Sequence, residues 1–178
     1  AGTSFSNDAS ATSVGTIDSE GSVSTTAGFS IIKWDGTDAV GTVAHGLSAV
    51  SKMILFKTRG TGEQWIVYHS SLGGTKNLIL NSANAAASVS NMFNDTDTTS
   101  TVFSLGANSA NKETTMIAYC FAEKQGFSKF GSYTGNGNVD GPFIYTGFTP
   151  AYILCKNFDN AAQYWNIKDN KRPEYNLE

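Results

Sequence analysis

Apolar and β-branched residues occur along this chain in short runs, separated by Gly, Asn, Asp and Ser. Phe29–Trp34 is followed by Asp35-Gly36, a dipeptide typical of tight turns. Thr115–Ala122 is a continuous apolar run, too short for a typical buried helix and rich in strand formers, so it predicts a central strand covered on both faces. Further predicted strands lie at 52–57, 65–69, 77–81, 101–105, 128–133, 142–146, 151–156 and 164–168.

Helical patterning is weak throughout. Ser82–Met92 contains four alanines, but Asn and Ser interrupt them without a 3.6-residue period, which predicts a loop with at most one helical turn. Residues 1–27 are rich in Ser and Thr and poor in large apolar side chains, and they predict a lead-in or linker with an edge strand near 14–17. The pattern as a whole predicts an all-β protein, an antiparallel β-sandwich.

The last third of the sequence repeats an earlier part. Residues 28–30 (GFS) return as 126–128, and residues 53–57 (MILFK) return as 152–156 (YILCK). The offset between matching positions stays between 98 and 101. We therefore expect an internally duplicated fold with a period of about 100 residues, of the kind common in arrayed proteins. Further matches are Trp34 with Tyr133, Gly36 with Gly135, His45 with Thr146, Gly46 with Gly147, and Trp65 with Trp165.

This repeat divides the chain into a lead-in at 1–27, a first repeat at 28–125 and a second repeat at 126–178. The second repeat reaches only the counterpart of Leu78, so we expect it to be truncated, as a piece of something longer.

Composition narrows the function classes. Charged residues make up 15% of the chain, against roughly 25% in ordinary soluble domains, and Ser, Thr, Asn and Gly take their place. Such a hydroxyl- and amide-rich surface is characteristic of extracellular and particle-surface β-proteins. The net charge of −3 gives no electrostatic reason to bind nucleic acid, and no apolar run is long enough to insert into a membrane.

The aromatic residues divide into predicted core and predicted surface. Trp65 and Trp165 begin strands at matching repeat positions, which favours core packing between two sheets about 10 Å apart. Trp34 and Tyr133 also match each other, but each lies beside a turn. Because sugar-binding modules use aromatic residues carried on turns, these two are candidate ligand-binding residues.

Asn136, Asn138 and Asp140 alternate before a glycine, as in the first half of a calcium loop. The bidentate acid required at the twelfth position is absent, because residue 147 is Gly. We expect a plain turn and no metal, with the three oxygen-bearing side chains as candidate ligand-binding residues beside Tyr133.

Catalytic patterns are lacking. His45 and His69 have no nucleophile or metal partner in sequence, and Cys120 and Cys155 lie in apolar strands as expected of free buried cysteines. We predict a protein that is not an enzyme and has no cofactor. A glycan depolymerase is retained as a third alternative, which requires two buried carboxylates roughly 5–10 Å apart.

Three stretches resemble a structural module of tailed bacteriophages. The first is residues 65–81, with a Trp–hydrophobic–Tyr strand, a turn containing Gly-x-x-Lys, and Leu-x-Leu-Asn. The strand at 116–123 and the segments 131–137 and 146–151 are similar to further parts of it. Such modules occur in tail fibres and other virion proteins, sometimes beside concanavalin-like lectin domains. The resemblance implies a jelly-roll or concanavalin-like sandwich in a virion, and it implies no functional residues.

Together these observations predict a structural component of a bacteriophage virion: a tail fibre, tail appendage or surface protein. It would act in assembly and host-surface adhesion. The expected partners are other virion proteins and further copies of the chain, with a trimer as the first expectation, and a host surface glycan. The alternative is a carbohydrate-binding, lectin-like module of a secreted or fibre-tip protein.

Overall fold

The computed structural model describes residues 2–60, 62–112 and 114–171 and is all-β, with a single short α-helix, α1 (Ala9–Thr12), in these ranges. A turn of 3₁₀ helix at Ser109–Asn111 is the other helical element described. The strands are β1 (Thr3–Asn7), β2 (Ser19–Ser24), β3 (Phe29–Asp35), β4 (Gly41–Ala44), β5 (Ser51–Thr58), β6 (Ile66–His69), β7 (Lys76–Ile79), β8 (Ala87–Ser88), β9 (Val102–Leu105), β10 (Thr115–Ala122), β11 (Tyr152–Cys155) and β12 (Asn166–Asp169).

Eight strands form the main sheet in the order β1-β2-β3-β10-β5-β6-β7-β8, and each pair in it is antiparallel. The run Thr115–Ala122 is a central strand, as predicted. Tyr119 lies opposite Ile31 on one side and Leu55 on the other. The two remaining sheets, β4-β9 and β11-β12, are two-stranded and antiparallel.

The inner face of the main sheet packs against β4-β9 and the loops beside it, which gives a sandwich-like core. Strand alternation decides which residues enter this core: β10 is buried at every second position, and the positions between are half-buried. The outer face of β10 is therefore only partly covered, and the predicted burial of both faces is confirmed for the inner one alone. The largest fully buried side chains include Trp34, Phe56, Phe93, Phe103, Ile32, Ile54, Leu105 and Met116.

A second, smaller cluster lies on the outer face of the main sheet. Met53, Val67 and Leu78 point away from the main core and are buried there. Residues from the second repeat cover them; these residues are Phe130, Leu154, Phe158 and Trp165. The second repeat thus packs against the outer face of the sheet formed by the first.

The prediction of a linker at 1–27 is wrong, because this segment contributes two strands and a helix. β1 pairs with β2 along five residues, and β2 pairs with β3, so the segment forms one edge of the main sheet. Phe5 packs against the core and Val23 belongs to it, while Asp8 caps the N-terminus of α1 by accepting hydrogen bonds from Ser10 N and Ala11 N. Few apolar residues suffice because only alternate positions of an edge strand face the core.

Two predicted strands of the second repeat do not form. Residues 128–133 and 142–146 contain no strand beyond a single bridge at Ser128, and the expected strand at 14–17 is likewise reduced to a bridge between Ile17 and Val43. In the first repeat β3 pairs with β10 and β4 pairs with β9. The described part of the second repeat contains no counterpart of β9 or β10, so its matching segments have no strand to pair with.

Candidate functional site

Trp34 is a core residue, which corrects its assignment as a candidate ligand-binding residue. Its side chain is 2% exposed, and its ring packs edge-on against Phe103 and Phe56 at centroid distances of 5.4 and 6.3 Å. The indole Nε1–H donates to Asn111 Oδ1 at 3.1 Å. The side chain follows the alternation of β3 and points inward with Ile32, although β3 ends at the next residue, Asp35.

Asn111 satisfies several buried groups around Trp34. Its Oδ1 also accepts from Thr37 N at 3.3 Å, while its Nδ2 donates to Thr37 Oγ1 at 3.0 Å and to the Ala39 carbonyl at 2.7 Å. This fully buried amide therefore ties the turn after β3 to the 3₁₀ turn. The network is structural, with no free group for a ligand.

Tyr133 is 55% exposed, whereas Trp34 is buried. The neighbouring Asn136–Asp140 loop is exposed and held by its own side chains. Asn138 N donates to Asn136 Oδ1 at 3.0 Å, Asp140 N donates to Asn138 Oδ1 at 3.2 Å, and Asn136 Nδ2 donates to the Asp140 carbonyl at 2.9 Å. These are Asx-type turns. Each of the two Asn side-chain oxygens accepts one backbone hydrogen bond.

A different aromatic pair lies half-buried on the outer face of the main sheet. Trp65, just before β6, packs against Tyr119 of β10 with ring centroids 6.1 Å apart. No hydrogen bond of the Trp65 indole N–H is formed with any described residue. Trp65 was predicted to lie in the core between two sheets. That prediction is wrong, because Trp65 lies on the outer face. The alternation of β10 was the signal that could have placed Tyr119 on this face.

Trp165 is also half-buried, and it joins the two repeats. Its Nε1–H donates to the Ile79 carbonyl at 2.9 Å, at the end of β7. Backbone bonds from Ala86 N to the Phe158 carbonyl, at 2.8 Å, and from Gln163 N to the Ala83 carbonyl, at 3.3 Å, continue the contact. Both tryptophans therefore lie on the outer side of the main sheet, one within each repeat.

The two histidines are structural in their surroundings. His45 is fully buried: its Nδ1 accepts from Leu47 N at 3.2 Å and its Nε2 lies 3.2 Å from the Thr99 carbonyl, so the neutral ring donates through Nε2. Burial lowers the pKa of His45, against a smaller raising effect of the hydrogen bond to Thr99. Burial also lowers the pKa of His69.

The carboxylates nearest a surface cleft are engaged with the protein. The cleft, of about 230 Å³, is lined in part by Asp8, Asp18, Glu20 and Asp35. Asp18 accepts from Ala9 N at 2.8 Å, Asp35 accepts from Thr115 Oγ1 at 3.2 Å, and Glu20 pairs with Lys33. Within the described ranges no Asp or Glu is buried, and no three His, Cys, Asp or Glu side chains are grouped to hold a metal ion. The described residues therefore do not supply the buried carboxylate pair that the depolymerase alternative requires.

Exposed apolar side chains concentrate in the second repeat. Of the twelve large hydrophobic residues described as exposed, ten lie between Phe127 and Ile167. Residues 130–155, here called the neutral segment, contain a single charged residue, Asp140. The exposed large hydrophobic residues of this segment are Tyr133, Val139, Phe143, Ile144, Tyr145, Tyr152 and Ile153.

Neither cysteine is bonded to the other. Cys120 faces the core from β10, and burial raises the pKa of its thiol to about 12. Cys155 ends β11 and is half-buried, with its pKa also raised by burial. Both are free thiols, as predicted, and Cys120 is the fully buried one.

A family model matches residues 4–178, which is almost the whole chain. The chain belongs to the family described as Domain of unknown function (DUF7483). No curated protein and no solved structure matches it. The DUF7483 match spans both repeats, so the packing of the second repeat on the first lies within one family unit. None of the described helices is long and apolar enough to cross a membrane.

Proposed function

We propose that this chain is a structural module of a bacteriophage virion, located in a tail fibre, tail appendage or surface protein, that acts by assembly and by adhesion to the host surface. The observation that carries the proposal is the concentration of exposed, uncharged aromatic and aliphatic residues in the second repeat. Aromatic enrichment with depletion of charge is characteristic of the buried centre of protein–protein interfaces. The resemblance of residues 65–81 to phage structural modules provides the setting.

The strand register of the two hairpins, β5-β6 and β11-β12, supports a duplicated origin for the module. In the first repeat Met53 lies opposite His69, and in the second Tyr152 lies opposite Asp169. These four residues are sequence counterparts, so the two hairpins share one register. A one-residue slip would have moved every side chain to the other face.

Backbone conformation at matching glycines supports the same origin. Gly28 and Gly126 have φ of 66° and 75°, and Gly46 and Gly147 have φ of 70° and 83°. We infer that one β unit was copied in tandem and that the second copy was adapted to cover the outer face of the first. A jelly-roll or concanavalin-like topology for the unit is part of this proposal.

Particle labelling tests the virion assignment. Antibodies raised against the purified protein should label intact particles of a phage that encodes the chain, in negative-stain electron micrographs. Mass spectrometry of the same purified particles should detect its peptides. Absence of both signals from purified particles, with the protein present in the infected-cell lysate, would overturn the assignment.

Glycan binding is a second candidate function, and the Trp65–Tyr119 pair is the observation that favours it. Half-buried aromatic rings such as these leave part of a face for sugar stacking, and the indole N–H of Trp65 makes no hydrogen bond to any described residue. The host surface glycan expected as a partner would bind here or at Tyr133, so the site predicted at Trp34 moves to a different tryptophan.

Titration with host lipopolysaccharide measures this candidate directly. Trp65→Ala should weaken binding by at least about fivefold, since one stacked ring contributes roughly 1–3 kcal/mol in comparable base-stacking sites. Tyr133→Ala tests the predicted loop site, and Val40→Ala, at an exposed position of the first repeat, serves as the control. Equal binding by all four proteins would exclude both aromatic sites.

A further inference from the structure

The geometry points to a dimer in which a second copy of this chain binds the neutral segment. In this dimer the β11 strands of the two copies pair antiparallel, along the edge that β12 does not occupy. This inference rests on the proposed function, because it names the partner and the surface through which the module assembles. The product would be a two-fold dimer with a continuous sheet β12-β11-β11-β12. The sequence predicted a trimer, and a measurement of oligomeric state distinguishes the two.

One edge of β11 has no strand partner among the described residues. β11 pairs only with β12 among the described strands, and Tyr152–Cys155 make no other backbone hydrogen bond to a described residue. In the first repeat, the matching edge of β5 is occupied by β10 along seven residues. A strand edge of this kind is a template for another strand, and natural proteins usually protect it with charge, Pro or a bulge.

β11 carries none of these protections. Its sequence is Tyr-Ile-Leu-Cys, with no charged residue and no proline, and Tyr152 and Ile153 are 56% and 44% exposed. β1, at the edge of the main sheet, is also uncharged, but three of its five residues are Ser or Thr and its one large apolar side chain, Phe5, packs against the core. The edge of β11 is therefore more favourable than the edge of β1 for pairing with another strand.

The charge pattern favours a second copy over a different protein. A two-fold interface places the same patch against itself, so a patch with a net charge of either sign repels its own copy. The neutral segment has one charged residue in its whole length and so avoids this repulsion. A partner chosen by opposite charge would instead require a surface with a clear sign.

The contact is also continuous with packing that already exists. Leu154 joins the outer-face cluster that holds the second repeat on the first, so β11 is anchored on one side. Its neighbours Tyr152 and Ile153 remain exposed. A docked copy would meet a strand that is already ordered, and little additional ordering entropy opposes association.

The test measures oligomeric state by light scattering after gel filtration, and by sedimentation over a wide concentration range. The wild type should be dimeric, and Ile153→Lys should raise the dimer dissociation constant by at least about tenfold, because a desolvated charge at an interface is costly. Val40→Lys places the same charge on an exposed valine of the first repeat and should leave the dimer unchanged. Circular dichroism of all three proteins controls for folding.

Hydrogen exchange supplies a second measurement if Ile153→Lys fails to fold. In the wild type, amides of Tyr152–Cys155 that do not bond to β12 should be protected at dimer concentrations and should lose that protection on dilution. A monomeric wild type at all accessible concentrations overturns the inference, as does a dimer without protection of β11. An equal effect of Val40→Lys overturns it as well.

Failure of this inference and failure of the virion assignment give different results. Particles that are labelled by antibody, with a monomeric purified protein, would retain the virion assignment and remove the β11 interface. A β11-dependent dimer with unlabelled particles would do the reverse.

Discussion

The two repeats place matching residues in opposite environments. Trp34, Val43 and Ile54 of the first repeat are 2%, 0% and 0% exposed, whereas their counterparts Tyr133, Ile144 and Ile153 are 55%, 48% and 44% exposed. The apolar pattern is similar, so the pattern alone does not decide burial. What differs is the presence of β9 and β10, which complete the sandwich over the first repeat and have no described counterpart over the second.

Residues 126–178 carry polar side chains at some of the positions whose sequence counterparts are buried in the core. Where the first hairpin places Ile66 and Tyr68 in the core, the second places Asn166 and Lys168 in solvent. Side chains of the second hairpin that face the first repeat, such as Leu154, are apolar because they pack against its outer-face cluster. Whether a position in this hairpin is polar or apolar thus depends on the face that its side chain occupies.

The largest expected difference between the repeats is at Trp34 and Tyr133. Trp34→Ala should lower the free energy of unfolding by about 3–5 kcal/mol, because it leaves a cavity among Phe56 and Phe103 and removes the partner of Asn111. Tyr133→Ala should change it by less than about 0.5 kcal/mol. Urea unfolding followed by tryptophan fluorescence and circular dichroism measures both, and equal losses would contradict the contrast.

Matching glycines sharpen the same comparison. A Cβ on Gly36 would collide with the backbone carbonyl oxygen of Lys112, whereas a Cβ on Gly135 would meet no atom within 4 Å. Gly36→Ala should therefore destabilise the protein by about 1–3 kcal/mol. Gly135→Ala should be neutral or slightly stabilising, through the unfolded chain. The midpoint of thermal unfolding distinguishes the two, and a similar fall for both would show that the second repeat is closely packed at this turn.

The histidines give the first repeat a pH dependence that the second lacks, since Thr146 replaces His45. Burial lowers the pKa of His45 and of His69 below the unfolded value, so the unfolded chain binds more protons as the pH falls. Stability should be full above about pH 6.5 and decline below it, by at most about 1.4 kcal/mol per pH unit for each histidine.

Urea unfolding at a series of pH values between 5 and 7 (about the histidine range) tests this sign. His45→Asn keeps an acceptor near the position of Nδ1 and should reduce the slope without abolishing it, because His69 still titrates. The pKa values of the Asp8, Glu20 and Glu123 carboxyls are lowered, so these groups stabilise the protein throughout this range and lose that contribution only at lower pH. A slope that is unchanged in His45→Asn would show that His45 binds protons equally in the folded and unfolded states over this range.

The smallest predicted effect concerns the bond between the repeats. Trp165→Phe keeps the apolar contact with the outer-face cluster but removes the donor to the Ile79 carbonyl, and it should cost about 0.5–1.5 kcal/mol. The loss should appear as faster amide exchange in β11 and β12, with β5 and β6 unaffected. Equally accelerated exchange in both hairpins would mean that the repeats unfold as one unit.

Local patterning in the sequence was sufficient for strands whose partners lie in the described chain. β5, β6 and β10 form close to their predicted bounds, and the sheets are antiparallel as expected. The placement of β10 between β3 and β5 joins residues about 80 apart, and no local pattern contains that information. Segments 128–133 and 142–146 show the converse, because strand propensity without a partner strand gives no strand.

The candidate site was harder to predict than the fold. The turn after Trp34 suggested an exposed ring, yet its position two residues after Ile32 in β3 already placed it on the inner face. Trp65 was expected in the core from its repeat position, and it contacts Tyr119 on the outer face instead. In both cases the alternation along the strand was the better guide than the nearest turn or the repeat. A binding role for Tyr133 and the Asn136–Asp140 loop stays a prediction.

Because Cys120 and Cys155 are buried to different degrees, the modification rates of their thiols can report two different opening events. A thiol-specific reagent modifies the thiolate, which Cys120 cannot form in the native core at neutral pH, so its labelling time reports global opening. Cys155, half-buried at the end of β11, should label earlier through local fluctuations or through detachment of the second repeat. One alkylation time course, read by mass at each cysteine, would therefore separate the lifetime of the sandwich from the lifetime of the hairpin that rests on it.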